Sequence, residues 1–533
     1  MRSLNIKIIG EYRDMKISIT MDELLYYFFL CLMFMGKGIG MESGQRIFQI
    51  CMLVSLFCFG IKLLTTRYSI KEWGVISALI LLGCMIWKSS GEMAAIWAML
   101  IVVGMKNVPT ERLMKILMGL WGGTFFFSVV MGLLHIKDGV VVVHEKLGLG
   151  PIIRWSLGYT HPNVLHISYF ILVVLLVYTF RWQGKALWKA SISLMIGNFL
   201  IFLYSVSYTG VLIVTGYIFL TLYFDYRKTF YKFESIMWCI VCIFFIIFPV
   251  FGPLWLNTHN HKLFMFFNEL LSYRFELVYN IFAEYPVSMF GTETIFSGNA
   301  HLTLDSSFAY LLMYYGIAGF ILFSTALIYL VYYFSKNNKK YEVAITVIMI
   351  LAGVTEQFLF NLSFKNLLFI FMGDVLFTHI LKDTNKKNIW NCTFSVLPIR
   401  KEINLEKGIL WKLFNVKRNI NIRKMFQIGI LMASIGMIIG FFIIKPLENV
   451  YVYRWLTDYR GEETVYLDED ELPDSLNALV IGYNGPNGEM FKFSGNIVII
   501  EKVRAVVGGA VLGGMAGGFL VIAFNGLKKR KCM

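Results

Sequence analysis

Long apolar runs alternate with short polar segments along most of the chain. An α-helix needs about 20 apolar residues to cross a hydrocarbon layer of roughly 30 Å, and most of these runs approach that length. The runs occupy residues 24–40, 47–64, 73–88, 92–105, 113–134, 164–181, 190–205, 208–224, 236–254, 307–334, 343–360, 364–381, 427–444 and 505–524. The runs near 73, 92, 190 and 208 are short, and those that meet at Tyr204–Tyr208 could form one broken element. The pattern predicts an all-α polytopic membrane protein.

The polar segments divide these runs into two groups. A cytoplasmic N-terminus (1–23) precedes a core of about 12 helices (24–381), which carries two long outer loops at 135–163 and 255–306. A basic cytoplasmic linker (382–426) leads to a C-terminal two-span module (427–533) with an acidic outer region at 447–503. Alternating apolar residues in "NALVIGYNG" and "MFKFSGNIVII" predict a small extracytoplasmic β or α/β segment in that module.

Composition and charge agree with this topology. The 533 residues are 57% hydrophobic, with a formal net charge of +15 and a mean hydropathy of +0.64. With a cytoplasmic N-terminus, most Lys and Arg residues fall on the inner side, as the positive-inside rule requires. The positive charge therefore indicates orientation and contact with anionic membrane lipid, and we expect no nucleic-acid partner. No cysteine lies in an outer loop, so no disulfide framework is expected.

Small residues recur at four-residue spacing in the two C-terminal spans. The pairs are Gly436 and Gly440, Gly509 and Gly513, and Gly514 and Gly518. This spacing lets helix backbones approach closely. It predicts pairing of the two spans with each other, and the alternatives are self-association and docking on the core.

The first outer loop ends in "RWSLGYTHPN", which places Arg154, His161 and Asn163 just before an apolar run. Pro162 suits the first turn of the following helix. The free N–H groups at that helix start, together with an arginine, form a suitable place for a phosphate group. A lone arginine that reaches from the membrane to the interface is the alternative interpretation.

The second outer loop carries Arg274 and Glu276 on one amphipathic stretch, and Asp305 stands immediately before the next span. A carboxylate this close to hydrocarbon requires a partner or a function. Helix N-capping is the alternative role for Asp305. Glu356, in "GVTEQFLFN", is an intramembrane carboxylate of the outer half of its span, with a structural role or a role in acceptor binding.

Two arginines, a histidine and a carboxylate at the outer membrane surface suit glycosyl transfer from a lipid-linked pyrophosphate sugar. Cationic side chains can stabilise the negative charge that develops on the pyrophosphate leaving group. A carboxylate or a histidine can remove the proton from the attacking sugar hydroxyl. Because no outward-facing acidic pair has a convincing metal-binding arrangement, we expect no metal and no other cofactor.

The order and spacing of "R…GYTHPN" and "R…FG……LDSSF…YGIAGF" resemble those of the Wzy-type O-antigen and capsular polysaccharide polymerases, within the O-antigen polymerase and ligase superfamily. The resemblance covers about residues 20–385. It implies a GT-C-like multi-span core in the bacterial plasma membrane. The implied activity is that of an inverting glycosyltransferase, which joins undecaprenyl-pyrophosphate-linked oligosaccharide repeat units into surface polysaccharide on the outer face.

Carried onto this sequence, the resemblance implies that Arg154 and Arg274 hold the pyrophosphates. His161 and Asn163 would help to build the first-loop part of the site, with His161 among the catalytic residues. Asp305 would be the catalytic base, and His301 is the competing base. Glu276 and Glu356 complete the expected substrate-binding set. One departure is clear, because "YSVSYTG" has Tyr208 where the family has an arginine, so another cation must replace it if that arginine matters.

Two other functions remain open. A ligase would transfer a finished glycan to another acceptor, whereas a flippase or exporter would move the lipid-linked oligosaccharide itself. An exporter should show internal repeats and a charged path through the spans, and the sequence shows neither. The C-terminal module faintly resembles the chain-length determinants of polysaccharide assembly, and an accessory or partner-docking role is the alternative.

Overall fold

A computed structural model describes most of the chain. The described residues are 17–137, 139–146, 150–227, 229–271, 273–294, 304–382, 392–397, 402–405, 422–443, 450–455, 464–467, 483–485, 488–493 and 495–530. In this part, nine helices are long and apolar enough to cross a membrane. Ala94–Gly104, Leu368–Ile380 and Gln427–Phe442 are shorter apolar helical segments. The expectation of a mostly helical, multi-pass membrane protein is confirmed.

The core helices follow the predicted runs closely. They are α1 Met21–Gly38, α2 Arg46–Thr65, α3 Ile70–Ser90, α4 Ala94–Gly104, α5 Thr110–Leu133, α6 Pro162–Phe180, α7 Gly184–Ser205, α8 Tyr208–Tyr226, α9 Lys232–His259, α10 His261–Leu270, α11 Arg274–Glu284, α12 Ser307–Lys336, α13 Lys340–Ala352 and α14 Leu368–Val375, which continues as a π-helical turn, Leu376–Ile380. The runs at Tyr204–Tyr208 are two separate helices, because Val206 adopts a left-handed conformation (φ 42°) that ends α7.

Several helices begin at polar residues whose side chains accept hydrogen bonds from the free backbone N–H groups of the first turn. Ser69 and Glu72 form a reciprocal capping box at α3. The His161 ring accepts from the backbone N–H of Asn163 at α6, with Pro162 in the first turn. Ser207 and Ser306 cap α8 and α12 through their hydroxyl oxygens. The polar residues between the apolar runs therefore determine where these spans begin.

Helix α6 lies at the centre of the core. Of its most apolar window, 72% is buried inside the protein, compared with 17% for the neighbouring α7. Helix α13 is also buried on nearly all sides. A helix that is apolar all round is stable inside a bundle, whereas one with mostly exposed apolar residues faces lipid. The first long outer loop, which leads into α6, therefore ends near the middle of one end of the bundle.

Two predicted spans depart from regular helix. The run at 343–360 is helical only to Ala352, and a non-helical segment with a short 3₁₀ turn at Gln357–Leu359 follows it. Helix α12 is broken at Gly316, where φ is 69° and ψ is −175°. Apolar composition alone did not reveal these breaks, because neither changes the hydropathy of its run.

The two long outer loops contain secondary structure. The first forms a β-hairpin of β3, Val141–Lys146, and β4, Gly150–Trp155, which places Arg154 opposite Val142 in the register. The second contains α10 and α11, so the expected amphipathic stretch with Arg274 is a helix. Phe275 of α11 packs with Phe248, Phe264 and Phe267 and is buried.

Parts of the N-terminal segment and of the basic linker form two small sheets. Strand β1, Ile17–Thr20, pairs with β6, Glu402–Leu405, and β2, Tyr68–Ser69, pairs with β5, Thr393–Phe394. Both pairs are antiparallel. The linker is thus attached to the core at the end of the bundle opposite the two long loops, which we call the linker end.

The C-terminal module consists of α15, Ile422–Ile443, and α16, Gly495–Arg530, with a four-stranded antiparallel sheet between them in sequence. Its strands are β7 Val450–Trp455, β8 Thr464–Leu467, β9 Tyr483–Gly485 and β10 Gly488–Phe493. The expected strands are present for "MFKF" and "YNG", but "NIVII" is helical because α16 begins at Gly495. Residues 477–482 lie outside the described part.

The small residues of α15 and α16 face each other. Gly436 lies against the backbone of Gly509, Gly440 against that of Ala505, and Gly513 against that of Met432. An added Cβ at any of these glycines would overlap a carbonyl oxygen of the other helix. The spacing of Gly436 and Gly440 and of Gly509 and Gly513 therefore serves pairing of the two spans with each other, as the first of the three interpretations predicted. The third pair does not contribute in this way, because an added Cβ at Gly518 meets no atom within 4 Å.

Candidate functional site

A cavity of about 740 Å³ opens at the end of the bundle opposite the linker end. The end of α1 and its loop, the start of α6, the start of α12 and the non-helical segment after α13 form its walls. Residues from both long loops and from several helix ends therefore meet in one place. In the orientation predicted from charge, this end faces outward.

Four of the residues singled out from sequence line this cavity: His161, Asn163, Asp305 and Glu356. Arg154 and Arg274 lie directly behind them, in contact with Asn163 and with both carboxylates. Glu276 lies outside this group, because its carboxylate accepts from the Asn268 side chain of α10. His301 lies outside the described residues.

Arg154 is held inside the protein and is only 3% exposed. Its Nε donates to the carbonyl oxygen of Ser205 at 2.8 Å, and one terminal nitrogen donates to Oδ1 of Asn163 at 2.5 Å. The guanidinium thus connects the hairpin of the first loop to the end of α7 and the start of α6. The alternative of an arginine that reaches along lipid to the interface does not apply, because such a residue would be exposed.

A network of buried polar side chains, which was not predicted from the sequence, supports Arg154 through Ser205. The Nδ1 atom of His166 lies 2.9 Å from the Ser205 hydroxyl, and Nε2 lies 2.8 Å from Oδ1 of Asn198. The Asn198 amide donates in turn to the carbonyl oxygen of Val211. Buried polar groups require such partners. A histidine inside a long apolar run was the signal that could have identified this network.

Arg274 lies between two carboxylates. Its Nε donates to Oδ2 of Asp305 at 3.1 Å, and a terminal nitrogen lies 3.6 Å from Oε1 of Glu356. Ser306, rather than Asp305, caps α12 through its hydroxyl. N-capping therefore does not account for Asp305, whose carboxylate is used in the ion pair and remains about one-third exposed.

Glu356 has further partners on two other helices. The Thr209 hydroxyl donates to its carboxylate at 2.8 Å, and the Ser307 hydroxyl donates to its backbone oxygen. Thr209 belongs to the "YSVSYTG" stretch and directly follows Tyr208. The break after α13 places Glu356 outside a helix and in contact with α8, α11 and α12.

Two lysines that sequence reasoning did not select also line the cavity, Lys37 and Lys365. Lys365 is only 4% exposed, and its ammonium lies 3.4 Å from the carbonyl oxygen of Val164 in the first turn of α6. The Lys37 ammonium lies 4.5 Å from the centre of the Phe48 ring. Both lysines lie at the end of the bundle where the positive-inside rule predicts few positive charges. This departure from the rule could have identified them as candidate site residues.

The loop segment around Gly40 is held from the other side by Lys137. The Lys137 ammonium donates to the carbonyl oxygen of Ile39. Partial burial of this ammonium lowers the pKa of Lys137 below the usual value for lysine. Tyr159 donates to the carbonyl oxygen of Gly38 at 2.9 Å. The first outer loop therefore fixes the wall of the cavity that contains Lys37.

The second outer loop is anchored in the break of α12. The backbone N–H of Ile317 donates to the Ser288 oxygen at 3.1 Å, and that of Ala318 donates to the Met289 oxygen at 3.1 Å. Thr292 N–H donates to the Met313 oxygen at 2.9 Å. The interrupted helix thus provides open backbone groups that attach the loop, which lies between α11 with Arg274 and the start of α12 beside Asp305.

Among the described residues, no group of three or more His, Cys, Asp or Glu side chains is arranged to hold a metal ion. No family model, curated protein or solved structure matches the chain. The site is therefore described from its geometry alone. It is a polar cavity with a buried arginine, an arginine shared by two carboxylates, and two lysines.

Proposed function

We propose that this protein polymerises lipid-pyrophosphate-linked oligosaccharide repeat units by inverting glycosyl transfer at the outer face of a bacterial plasma membrane. The single observation that carries the proposal is that His161, Asn163, Asp305 and Glu356, which come from distant parts of the chain, line one cavity. A polar cavity that opens at the end of a membrane-embedded bundle suits a substrate with a lipid anchor and a saccharide head.

Asp305 is the catalytic base in this proposal. A hydroxyl of the acceptor saccharide attacks the anomeric carbon of the donor, and its proton passes to the Asp305 carboxylate. The bond from the anomeric carbon to the diphosphate oxygen breaks, and that oxygen keeps the electron pair. The Asp305 carboxylate is the more exposed of the two that contact Arg274, at 34% compared with 13% for Glu356. It can therefore meet a substrate while Glu356 remains enclosed.

Arg154 and Arg274 act as positioning residues. Each guanidinium already bonds to protein oxygens, so their first role is to hold Asn163, Asp305 and Glu356 in one geometry. A base held in place in advance avoids reorganisation when the reaction occurs. The resemblance assigned pyrophosphate binding to both arginines, and the protein contacts favour the positioning role.

The experiment that tests the proposal is reconstitution of the purified protein in lipid vesicles with a lipid-linked repeat unit, followed by gel separation of the products. A ladder of increasing repeats supports a polymerase, whereas a single transferred block supports the ligase alternative. Asp305→Asn should abolish the ladder. Glu269→Gln, which changes an exposed carboxylate on α10 outside the cavity, should leave it unchanged.

A second test uses a strain that lacks the gene. Mass spectrometry should detect single repeat units on lipid in that strain. Long chains on lipid would favour the ligase and contradict the polymerase. The exporter alternative lacks support from packing, because the middle of α6 and α13 is filled by buried apolar side chains such as Val173, Val174 and Ile348.

A further inference from the structure

Lys365 occupies an electrostatically unfavourable position. Its buried ammonium donates to the carbonyl oxygen of Val164 at 3.4 Å, in the first turn of α6, and this neutral oxygen does not balance the positive charge. The N-terminus of a helix carries partial positive charge from its free N–H groups, so it attracts anions and repels cations. A buried cation is also costly unless it has a partner of opposite charge. Both effects call for a negative group beside Lys365.

Among the described residues that line the cavity, the carboxylates beside Lys365 already have other partners. Glu356 and Asp305 both contact Arg274. Glu92 accepts from the Tyr310 hydroxyl, and Glu42 is exposed at the mouth of the cavity. Lys37 adds a second ammonium to the wall that holds Lys365. The two lysines and the first turn of α6 therefore form the positive part of the cavity.

We infer that Lys37, Lys365 and the first turn of α6 form an oxyanion-binding subsite that takes the diphosphate of the lipid-linked donor. This inference rests on the proposed function, since that function supplies a diphosphate leaving group to the same cavity. Ammonium groups recognise phosphate oxygens in proteins, and the partial positive charge at the start of a helix adds to this attraction. Negative charge that grows on the leaving oxygen is stabilised most where the cations are already in place.

The same chemistry could recognise a carboxylate on an acidic sugar. The two sources differ in charge and in the number of oxygens that they present, so they can be separated by binding measurements. The probes are farnesyl diphosphate, inorganic diphosphate and glucuronate, each titrated calorimetrically into the purified full-length protein in nanodiscs. Binding of both diphosphates with much weaker binding of glucuronate is the expected result. Preference for glucuronate would overturn the assignment to the diphosphate.

The variants Lys37→Met and Lys365→Met remove one charge each and keep a chain of similar length. Each should weaken farnesyl diphosphate binding roughly tenfold or more. Lys365→Arg, which keeps the charge, should retain most of it. The matched control is Lys88→Met, an exposed lysine at the same end of the bundle and outside the cavity. If Lys365→Met does not fold, as judged by thermal unfolding, the diphosphate affinity of the Lys37→Met protein alone tests the subsite, because Lys37 is only half-buried.

The outcomes separate this inference from the proposed function. Unchanged diphosphate affinity in the folded Lys37→Met and Lys365→Met proteins would overturn the subsite, even if the wild-type protein makes a ladder. Loss of diphosphate affinity in these variants would support the subsite, even if no ladder forms with the chosen repeat unit. In that case only the proposed function would be contradicted.

Discussion

The indole nitrogen of Trp155 lies 3.3 Å from a carboxylate oxygen of Glu501, so the residue that follows Arg154 is hydrogen-bonded to the C-terminal module. The same part of α16 also contacts the end of α7. The Nε of Arg504 donates to the Leu203 oxygen at 2.7 Å, and the Tyr204 hydroxyl donates to the backbone oxygen of Arg504. The module thus docks on the two segments that hold Arg154, the end of β4 and the end of α7.

Arg504→Met should weaken this docking. Arg504 is only 3% exposed, and its loss leaves the Leu203 oxygen and the Glu501 carboxylate without a charged donor. The expected cost is about 1–3 kcal/mol. With a protease site inserted between residues 405 and 422, the cleaved C-terminal fragment should co-purify with the wild-type core and be lost from the variant. Lys502→Met is the control, because Lys502 contacts Phe441 within the module. Equal recovery from Arg504→Met and from the control would contradict this docking.

Arg154→Ala should reduce stability and activity together. The substitution leaves Oδ1 of Asn163 and the Ser205 oxygen without a donor in a buried site, at a cost of about 2–4 kcal/mol. The thermal unfolding midpoint and the product ladder would both be measured. Arg154→Lys keeps the charge but cannot fork to both oxygens, so it should give an intermediate result. A stable Arg154→Ala protein with a normal ladder would exclude the positioning role.

Arg274→Gln should strongly reduce activity with a smaller effect on folding, because Arg274 is less buried than Arg154. Without the shared guanidinium, Asp305 and Glu356 repel each other and lose their alignment, and we expect ladder formation to slow roughly 100-fold. Glu276→Gln on the same helix is the matched control, since its side chain points to Asn268. A similar loss in both variants would indicate a general defect of α11.

The residues of the site could be predicted in part from sequence, and the reason is physical. His161, Asn163 and Asp305 stand at the borders of apolar runs, and polar groups at such borders are costly unless they have partners or functions. Their partners could not be predicted, because hydropathy identifies helices but does not show which helix ends meet. The contact between Arg274 and Glu356 depends on the break after Ala352.

The fold, like the site, could be predicted from the sequence only where a local pattern determines the structure. The α15–α16 pairing follows from small residues at four-residue spacing, which is a local pattern with a direct packing consequence. The break at Gly316 and the buried position of Lys365 depend on segments distant in the sequence. Lys365 lies at the start of the apolar run 364–381, where a lysine ordinarily indicates only a span boundary.

Thr209→Val should lower activity by removing a single hydrogen bond to Glu356. Valine has the same shape as threonine but lacks the hydroxyl that donates to the carboxylate at 2.8 Å. A hydrogen bond to a charged group contributes about 1.5–3 kcal/mol, so the ladder should form roughly tenfold to a hundredfold more slowly. Thr209→Ser retains the hydroxyl and should restore the rate. Equal rates for the valine and serine variants would show that this bond does not matter for catalysis.

Gly316→Ala should destabilise the protein and detach the second outer loop from α12. Gly316 has φ of 69° and ψ of −175°, a conformation that is essentially limited to glycine. An added Cβ would also overlap the backbone of Gly291 and Met289. The combined penalty should be about 2 kcal/mol or more, with a lower thermal unfolding midpoint.

The matched control for Gly316→Ala is Gly119→Ala. Gly119 lies within α5, and an added Cβ there meets no atom within 4 Å. Alanine favours helix over glycine, so this control should be neutral or slightly stabilising. Loop detachment can be measured separately, by the rate at which a cysteine introduced at Val287 reacts with a membrane-impermeant maleimide. Gly316→Ala should increase that rate, because the Ser288 and Met289 carbonyl oxygens bond to the broken helix. If Gly316→Ala and Gly119→Ala have the same unfolding midpoint and the same labelling rate, the break in α12 does not anchor the loop.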